Sequence, residues 1–376
     1  MTVGLVGHYL GAKMGIGVFL DRLLEPLMLE LASKGIEARV IASPNALAQT
    51  PAIQRLQQQS VAQVNVLPAL DYAPVKRFGW MATQFARYCK AQGFDRIVWL
   101  SNPIVLPWHP PSVAVLHDVN EWKAKDKYGS SVKTTLRSWM YLEASLKWAD
   151  KIVSISEATT GDIRQFRPDS LDKVTTIPNG LDSPLAALTP DEIDVPAAPF
   201  LLSVGRIDPE GKKLPEAVAL VEALRDRSDT PWELHIAGGM NKSTQQAGEA
   251  FVESIKNTPW IHYHGYTEDS TLAAWYRHAT AVVFLSENEG FGSPVAEAAS
   301  FGCRVIVNAN NQASFGSGGD AVIPVMPQDS SAAAATVLEQ VSAEKSSDSS
   351  AESTKVYTYA DAAITYSAAL KSWMKG

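Results

Sequence analysis

The chain has 376 residues, 46% of them hydrophobic and 19% charged, with a formal net charge of −7 at pH 7. This length and composition predict a globular protein of two domains and exclude wholesale disorder. The two cysteines, Cys89 and Cys303, are far apart in the sequence. They predict buried thiols of a reducing compartment, with neither a disulfide framework nor a zinc site.

The charge is distributed unevenly along the chain. Residues 1–188 carry 20 Lys+Arg against 16 Asp+Glu, a balance of +4, which leaves 13 against 24, or −11, for residues 189–376. No dense basic stripe with interleaved aromatics occurs, so nucleic acid is not expected as a partner. Neither a leader with a basic n-region nor a run of 18 apolar residues is present. The sequence therefore predicts a cytoplasmic protein without a signal peptide or a spanning helix.

The first half alternates short apolar runs with amphipathic stretches. Thr2–Val6 predicts a buried strand, followed by a glycine-punctuated loop over Gly7–Gly17. From Val18 to Lys34 apolar residues recur at helical spacing, and Gly35 marks the end of that helix. The other elements predicted here are strands at Ala38–Ala42, Arg96–Leu100, Val113–Leu116, Lys151–Ser154 and Val174–Ile177, and a helix at Leu136–Trp148.

A second alternation begins after a Pro/Ala-rich linker at residues 183–199. Its predicted strands are Phe200–Val204, Glu233–Ala237, Ile261–Tyr263, Ala281–Leu285 and Arg304–Val307, and its predicted helices are Leu214–Arg225, Asp269–His278 and Pro294–Phe301. Residues 330–354 form a Ser/Ala-rich tract, interpreted as a mobile or weakly helical surface segment. Helical periodicity returns over Val356–Trp373. Repeated strand–helix alternation predicts an α/β protein with two Rossmann-like, doubly wound parallel-sheet domains, which bind ligands at the carboxyl ends of their strands.

The most informative segment is Ser286–Gly302, SENEGFGSPVAEAASFG. It follows an apolar strand and opens a helix with Pro294 in its first turn, where backbone amides form a ready anion site. Glu289 in the loop and Glu297 in the helix can accept hydrogen bonds from a ligand with several hydroxyls. The alternative is one Glu that favours the helix dipole and another on a solvated face.

A second segment, Leu202–Lys213 (LSVGRIDPEGKK), also follows a strand. Arg206 offers a planar fork for phosphate oxygens and Lys212 a point charge, and such a pair can stabilise a departing diphosphate. Two solvated surface cations are the alternative interpretation. Lys213 is assigned to the solvent.

Two weaker signals lie in the first half. Gly15 and Gly17 lack the third glycine of a dinucleotide fingerprint, so a nicotinamide enzyme is disfavoured, whereas a flexible loop over a donor phosphate is acceptable. A plain strand–helix turn explains Gly15 equally well. His117, followed by Asp118, lies just past a predicted strand end, where it can hydrogen-bond a ligand, although a lone His-Asp pair is more often structural.

Together these segments resemble the retaining glycosyltransferases of the GT-B fold, family 4 (glycosyltransferase group 1). EGFG-x4-E at Glu289–Glu297 matches the family's E-x7-E motif, and Gly205–Lys212 matches its phosphate-binding pair. His117-Asp118, the Gly15–Gly17 loop and Pro178-Asn179-Gly180-Leu181-Asp182 occur in the family's order. One motif alone would be weak, whereas five in order, spread from Met1 to about Val325, are specific.

The resemblance implies a fold in which the two domains face a central cleft. Residues 1–182 would bind the acceptor, residues 200–354 the nucleotide sugar, and residues 355–376 would form a C-terminal helix that packs back on the first domain. The implied catalytic residues are His117, Glu289, Arg206 and Lys212, and the implied donor-binding residues are Gly15, Gly17, Arg206, Lys212, Gly265, Tyr266, Glu289, Gly290, Phe291, Gly292, Ser293, Pro294 and Glu297.

The family further implies retention and no metal or cofactor, with a GDP- or UDP-linked hexose, of mannose or glucose type, as co-substrate. The acceptor is expected to be a glycan, a lipid-linked sugar or a small molecule. A nucleotide-sugar 2-epimerase of the same architecture and a non-catalytic sugar-nucleotide-binding relative are the alternatives. One departure from the family's pattern is Lys213, where a glycine is usual, so a different loop geometry is expected.

Residues 74–92 suggest where the acceptor comes from. Lys76, Arg77, Arg87 and Lys90 alternate there with Phe78, Trp80 and Phe85. On a helix this pattern predicts peripheral contact with the inner face of a membrane. A half-buried surface helix with solvated cations is the alternative.

Overall fold

The computed structural model describes residues 1–11, 15–59, 63–101, 103–119, 122–123, 139–182, 185, 188, 195–241, 244–344 and 357–375. The chain divides into two compact units, the first formed by Met1–Gly180 with Tyr357–Gly376 and the second by Leu181–Val356. Most of the predicted linker, 183–199, lies outside the described residues.

The first unit contains a seven-stranded parallel sheet in the order β3-β2-β1-β4-β5-β6-β7. Its strands are β1 (Thr2–Val6), β2 (Glu37–Ala42), β3 (Gln63–Val66), β4 (Arg96–Trp99), β5 (Ser112–Leu116), β6 (Lys151–Ser154) and β7 (Val174–Thr176). Its helices are α1 (Ile16–Ser33), α2 (Pro44–Gln49), α3 (Pro51–Gln58), α4 (Pro74–Gln92), α5 (Ala144–Trp148), α6 (Glu157–Phe166) and, from the C-terminus, α13 (Tyr359–Lys375). A π-helical turn, Trp139–Glu143, precedes α5, and residues 136–138 of the helix predicted there lie outside the described residues.

The second unit contains a six-stranded parallel sheet in the order β10-β9-β8-β11-β12-β13. Its strands are β8 (Phe200–Val204), β9 (Glu233–Ala237), β10 (Ile261–Gly265), β11 (Ala281–Phe284), β12 (Val305–Asn308) and β13 (Val322–Val325). Its helices are α7 (Leu214–Arg227), α8 (Gln245–Ile255), α9 (Asp269–His278), α10 (Ser293–Ser300), α11 (Gln312–Gly318) and α12 (Ser330–Glu344).

Both strand orders confirm the predicted pair of doubly wound, Rossmann-like domains. The order reverses between β1 and β4 in the first sheet and between β8 and β11 in the second. Such reversals open a crevice outside the carboxyl ends of the strands, where doubly wound sheets bind ligands. In the second unit, the loop that follows β8 at this crevice contains Arg206 and Lys212, and the loop that follows β11 contains Glu289.

The Ser/Ala-rich tract differs from its prediction. Residues 330–344 form the regular helix α12, in which Ala334 and Val337 are fully buried in the core of the second unit. Small alanine side chains allow the helix to approach its neighbours closely, and alanine has the highest helix propensity. The first part of the tract is therefore packed structure, whereas residues 345–354 lie outside the described residues.

Helix α4 corrects the residue set predicted to face a membrane. Arg77 is 7% exposed and Phe85 is fully buried, and both lie on the helix side that enters the core. The Arg77 guanidinium donates to the carbonyl of Tyr72 at 3.3 Å and to the Tyr141 hydroxyl at 3.0 Å. Arg77 and Phe85 therefore support the fold and are unavailable to a membrane.

The C-terminal helix α13 packs on α1 within the first unit. Lys34 Nζ donates to Ser367 Oγ at 2.6 Å, and the Arg96 guanidinium lies 4.6 Å from the Trp373 ring centroid. Tyr366 is fully buried. The end of the chain thus completes the core of the first unit. Among the described residues, none of the helices combines the length and the hydropathy of a transmembrane span.

Candidate donor-binding site

Two loops of the second unit meet through an ion pair. Lys212 lies in the loop after β8 and Glu289 in the loop after β11, and Lys212 Nζ is 2.5 Å from Glu289 Oε1. Both side chains are about one-fifth exposed (21% and 20%), and Nζ also lies 4.9 Å from the Phe284 ring centroid. The sequence places these residues 77 positions apart. The reversal between β8 and β11 brings them together.

A layer of buried polar side chains holds the Glu289 loop in place. Ser286 Oγ donates to Glu289 Oε1 at 2.6 Å. Asn311 Nδ2 donates to the Ser286 carbonyl at 2.8 Å, and Asn308 Nδ2 donates to the Leu285 carbonyl at 3.3 Å. Both asparagines are at most 4% exposed. Sequence analysis missed these two asparagines, although amides at the end of an apolar strand were the available signal.

Arg206 extends to the surface beside this pair. Its guanidinium Nη2 lies 3.2 Å from Asp208 Oδ2, and its side chain is 41% exposed. Asp208 also accepts from the Gly211 amide at 3.1 Å and so shapes the turn that leads to Lys212. Asp208 was not predicted. The exposed fork of Arg206 remains accessible to phosphate oxygens from solvent.

Helix α10 begins directly behind the Glu289 loop. Gly292 precedes it with a φ of 86°, a conformation that favours glycine, and Pro294 occupies the first turn. The N-cap residue Gly292 provides no side-chain hydrogen bond to the amides of that turn, and the positive end of a helix dipole favours an anion. Phe291 is 8% exposed, so it supports the loop from inside. Glu297 accepts a hydrogen bond from the Tyr276 hydroxyl at 3.3 Å.

Three strand ends of the second sheet carry glycines in unusual conformations. Gly205, Gly238 and Gly265 follow or end β8, β9 and β10 with φ values of 141°, 149° and 66°. A Cβ on Gly238 would lie 1.7 Å from the Gly205 carbonyl oxygen, so no side chain fits there. Tyr266, predicted to bind the donor, is 68% exposed. Gly238 was missed, because Gly238-Gly239 alone gives no spacing signal.

Lys213 explains the departure from the family's glycine. Its backbone has φ 55° and ψ 45°, the left-handed conformation. It is the single non-glycine residue with positive φ among the described residues. The loop thus adopts the geometry that a glycine favours. Lys213 Nζ lies 3.7 Å from Glu216 Oε1.

The remaining predicted residues lie in the first unit. His117 follows β5, its Nε2–H donates to the Leu100 carbonyl at 2.8 Å, and its ring meets Phe19 edge-on at 4.8 Å. Burial lowers the pKa of His117 to about 4, so the ring is neutral at physiological pH. Gly15 precedes α1 with φ 55°, and Gly17 is buried in its first turn. Residues 12–14 of the same loop lie outside the described residues.

The first unit also buries two polar groups that sequence analysis missed. His8 follows β1, and burial lowers its pKa to about 4. Its Nδ1, like Oδ1 of Asp21 in α1, is buried and makes no hydrogen bond within the described ranges. Burial raises the pKa of the Asp21 carboxyl. Such groups at the carboxyl end of a strand are candidates for ligand contact.

Comparison with known families matches both units. The family described as Glycosyltransferase Family 4 matches residues 21–183, and the family described as Glycosyl transferases group 1 matches residues 193–350. The second match contains Arg206, Lys212, Glu289 and Glu297.

Among curated proteins, the chain is 22% identical over 213 residues to the serotype-specific mannosyltransferase WbdA of Escherichia coli, which covers 51% of this chain and 25% of that protein. It is 25% identical over 243 residues to the O-antigen chain mannosyltransferase B of Escherichia coli, which covers 61% of each. The chain thus spans about a quarter of the first curated relatives it matches.

Solved structures share the fold over the whole chain. Sucrose-phosphate synthase from Thermosynechococcus elongatus has a TM-score of 0.66 at 19% identity and covers 100% of this chain and 96% of its own. The Anabaena Alr3699/HepE protein in complex with UDP and glucose has a TM-score of 0.61 at 15% identity, covering 98% and 95%. With both halves matched by family and both sheets by fold, the chain belongs to the group 1 glycosyltransferases, family 4, of the GT-B fold.

Proposed function

We propose that this glycosyltransferase moves a hexose, mannose first among candidates, from a nucleotide-diphosphate sugar to a glycan or lipid-linked acceptor, with retention and without a metal. The observation that carries the proposal is the Lys212–Glu289 pair, held at 2.5 Å beside the exposed Arg206. It joins a cation suited to the diphosphate and a carboxylate suited to sugar hydroxyls in one place.

The donor's chemistry matches what these groups offer. Transfer breaks the bond between the sugar C1 and a diphosphate oxygen, and the electron pair stays on the diphosphate. Arg206 and Lys212 are placed to stabilise that growing negative charge, the part that a metal ion plays in other transferases. The acceptor hydroxyl oxygen bonds to C1 and passes its proton to the departing diphosphate oxygen.

Glu289 is proposed to bind the sugar of the donor, while Arg206 and Lys212 bind its diphosphate. In the ligand-free chain its carboxylate is occupied by Lys212 Nζ and the Ser286 hydroxyl, which share Oε1. When the diphosphate attracts Lys212, sugar hydroxyls can donate to the carboxylate in its place. The Glu289 carboxylate then exchanges its ion pair with Lys212 for several charge-assisted hydrogen bonds from the sugar, and such bonds are stronger than those between neutral groups. Glu297, in the first turns of α10, is proposed to bind the ribose.

The names of the relatives suggest which nucleotide sugar to test first. Two Escherichia coli relatives carry the name mannosyltransferase, and we therefore propose GDP-mannose as the first donor to test. UDP-hexoses are second, since one protein of the same fold is solved with UDP and glucose. Polysaccharide or glycoconjugate synthesis is the proposed setting.

Thermal-shift screening of GDP-mannose, UDP-glucose and ADP-glucose tests the donor, since a ligand at 100 times its Kd adds about 2.7 kcal/mol of stability. Transfer is then measured with the donor that binds, and the anomeric configuration of the product is read by NMR. Retention is expected. Full activity in EDTA is also expected, and loss of activity with rescue by Mg²⁺ or Mn²⁺ would overturn the metal-free mechanism.

Two alternatives give different products from the same assay. A 2-epimerase would consume the donor without an acceptor and release an epimer. A non-catalytic relative would bind the donor and turn nothing over. The intact set of Arg206, Lys212, Glu289 and Glu297 favours transfer over both.

We further propose that the enzyme is cytoplasmic and contacts a membrane through one face of helix α4. Lys76, Arg87 and Lys90 are exposed, and their spacings of 11 and 3 residues place them within about 60° of one another around a helix of 3.6 residues per turn. Val75 is 77% exposed, and Trp108, whose Nε1 donates to the Ala82 carbonyl, is 58% exposed. Cations beside an exposed aromatic and an exposed aliphatic side chain fit an anionic membrane interface.

A further inference from the structure

A cluster of imidazoles and one carboxylate lies on the outer strands of the second sheet. Glu233 and His235 alternate along β9, so their side chains share one face of the sheet. His262 on the edge strand β10 is the parallel neighbour of His235, and His264, at an irregularity of the same strand, stacks on the His235 ring at 5.1 Å. The register of two strands thus collects three histidines and a glutamate.

Three ligand atoms converge at the centre of this cluster. His235 Nε2 lies 3.0 Å and His262 Nε2 3.7 Å from the same atom, Glu233 Oε2. All three residues offer donor atoms within 4.8 Å of one another. Ligands bound tetrahedrally at zinc's usual bond lengths of about 2.0–2.1 Å are separated by about 3.3 Å. The observed spacings bracket that separation, so a small movement of side chains accommodates an ion.

One ring nitrogen in the cluster is a buried polar atom that is unsatisfied within the described residues. His262 Nε2 is buried and makes no hydrogen bond to any described residue, although the side chain as a whole is 38% exposed. A buried nitrogen that points at a carboxylate without bonding it costs free energy, which a bound cation would remove. The exposed part of His262 leaves an entry path for the ion and room for a water ligand.

His264 provides the support that metal-binding histidines usually have. Its Nε2 lies 3.0 Å from His235 Nδ1, and its ring packs 4.4 Å from the Trp275 ring centroid. If His235 binds through Nε2, its Nδ1–H donates to His264, which fixes both the tautomer and the ring orientation.

From this geometry we infer that Glu233, His235 and His262 form a Zn²⁺ site with one position open to water, and that His264 is its positioning residue. Two imidazoles and a carboxylate suit Zn²⁺, whereas Mg²⁺ and Ca²⁺ prefer all-oxygen ligands. Neither cysteine is among these ligands, so the positions of Cys89 and Cys303 in the sequence could not predict this site. Glu233 begins β9 and His262 is the second residue of β10, so the ion lies toward the amino ends of the strands. The donor loops follow their carboxyl ends, and none of the three ligands belongs to the predicted donor-binding residues.

The test is zinc binding by the untagged full chain, stripped with a chelator and dialysed. Calorimetric titration with ZnCl₂ should give one equivalent bound, and Co²⁺ should give the visible absorption of a four-coordinate site. His262→Ala and Glu233→Gln should each weaken binding by at least about 10-fold, and His264→Asn by about 10- to 100-fold, the range for an outer-shell partner. Excess Mg²⁺ should not displace the zinc.

His278→Ala is the matched control, since His278 is an exposed histidine of the same unit, and it should bind zinc as the wild type does. Zinc should raise the melting temperature of the wild type and leave that of His262→Ala unchanged. Unfolding of the metal-free proteins establishes that each variant is folded, and His262→Ala, at a half-exposed position, is the variant expected to fold without difficulty. Absence of stoichiometric zinc binding, or equal affinity in wild type and His262→Ala, would overturn the inference.

Discussion

Lys212 and Glu289 are 77 residues apart in the chain and form an ion pair of 2.5 Å between the loops that follow β8 and β11. Ser286 donates to the same carboxylate oxygen at 2.6 Å. The pair links the cation proposed to bind the diphosphate to the carboxylate proposed to bind the sugar. A substitution at either residue is therefore expected to affect the contacts of both parts of the donor. The first two predictions rest on this relationship.

Replacing Glu289 with glutamine should reduce kcat far more than donor affinity. The amide keeps the shape of the side chain but loses the negative charge whose hydrogen bonds strengthen in the transition state. Steady-state kinetics with saturating donor, together with donor titration, separate the two effects. Glu253→Gln, which changes an exposed carboxylate of the same unit, should behave as wild type. Equal kcat in Glu289→Gln and wild type would disprove the assignment.

Arg206→Ala and Lys212→Ala should each slow transfer by about 10²-fold or more, the scale for removing one positioned electrostatic stabiliser. Lys213→Gly is the control, because the Lys213 backbone already adopts the left-handed conformation. Glycine tolerates that conformation without strain, so this variant should keep kcat and its melting temperature near the wild-type values. A mild effect of both alanine substitutions would mean that the diphosphate is bound elsewhere.

Acid should destabilise the first unit through its buried histidines. Burial lowers the pKa of His117 from 6.5 to about 4. Between these two pH values the unfolded chain binds a proton at His117 that the folded chain does not. The stability from this group is complete above pH 6.5 and falls as the pH drops toward 4, by about 2 kcal/mol at pH 5. Urea unfolding at pH 7.5 and pH 5 measures the loss. It should be smaller in His117→Gln, and an identical loss in both proteins would contradict the prediction.

Removing Lys76, Arg87 and Lys90 together should weaken binding to vesicles that contain anionic lipid by about 10²-fold, at about 1 kcal/mol for each cation near the surface. The apparent KM for a lipid-linked acceptor should rise, while donor affinity stays constant. Both effects should fade as salt rises, since these charges are exposed. A triple substitution of the exposed Arg227, Lys256 and Arg277 in the second unit is the control. Wild-type vesicle binding by the first variant at low salt would favour an acceptor met in solution.

Elements with an uninterrupted local pattern were predicted nearly to the residue. Lys151–Ser154, Phe200–Val204, Glu233–Ala237 and Asp269–His278 agree with the structure at both ends, because an apolar run or a helical period is a property of neighbouring residues. Strand β3, with the half-polar sequence QVNV, was missed. It is an edge strand, which needs little apolar sequence to pair on one side.

Linear sequence alone determined the two-domain α/β architecture and the motif residues, because hydrophobic period, glycine placement and the E-x7-E spacing are all local in the chain. Tertiary structure alone decided which charges meet. It turned Arg77 of α4 into the core, paired Lys212 with Glu289, and set His235 beside His262 across two parallel strands. Those contacts depend on strand order, register and the burial of one helix face. Each of these is fixed by packing between residues far apart in sequence, and no local pattern encodes it.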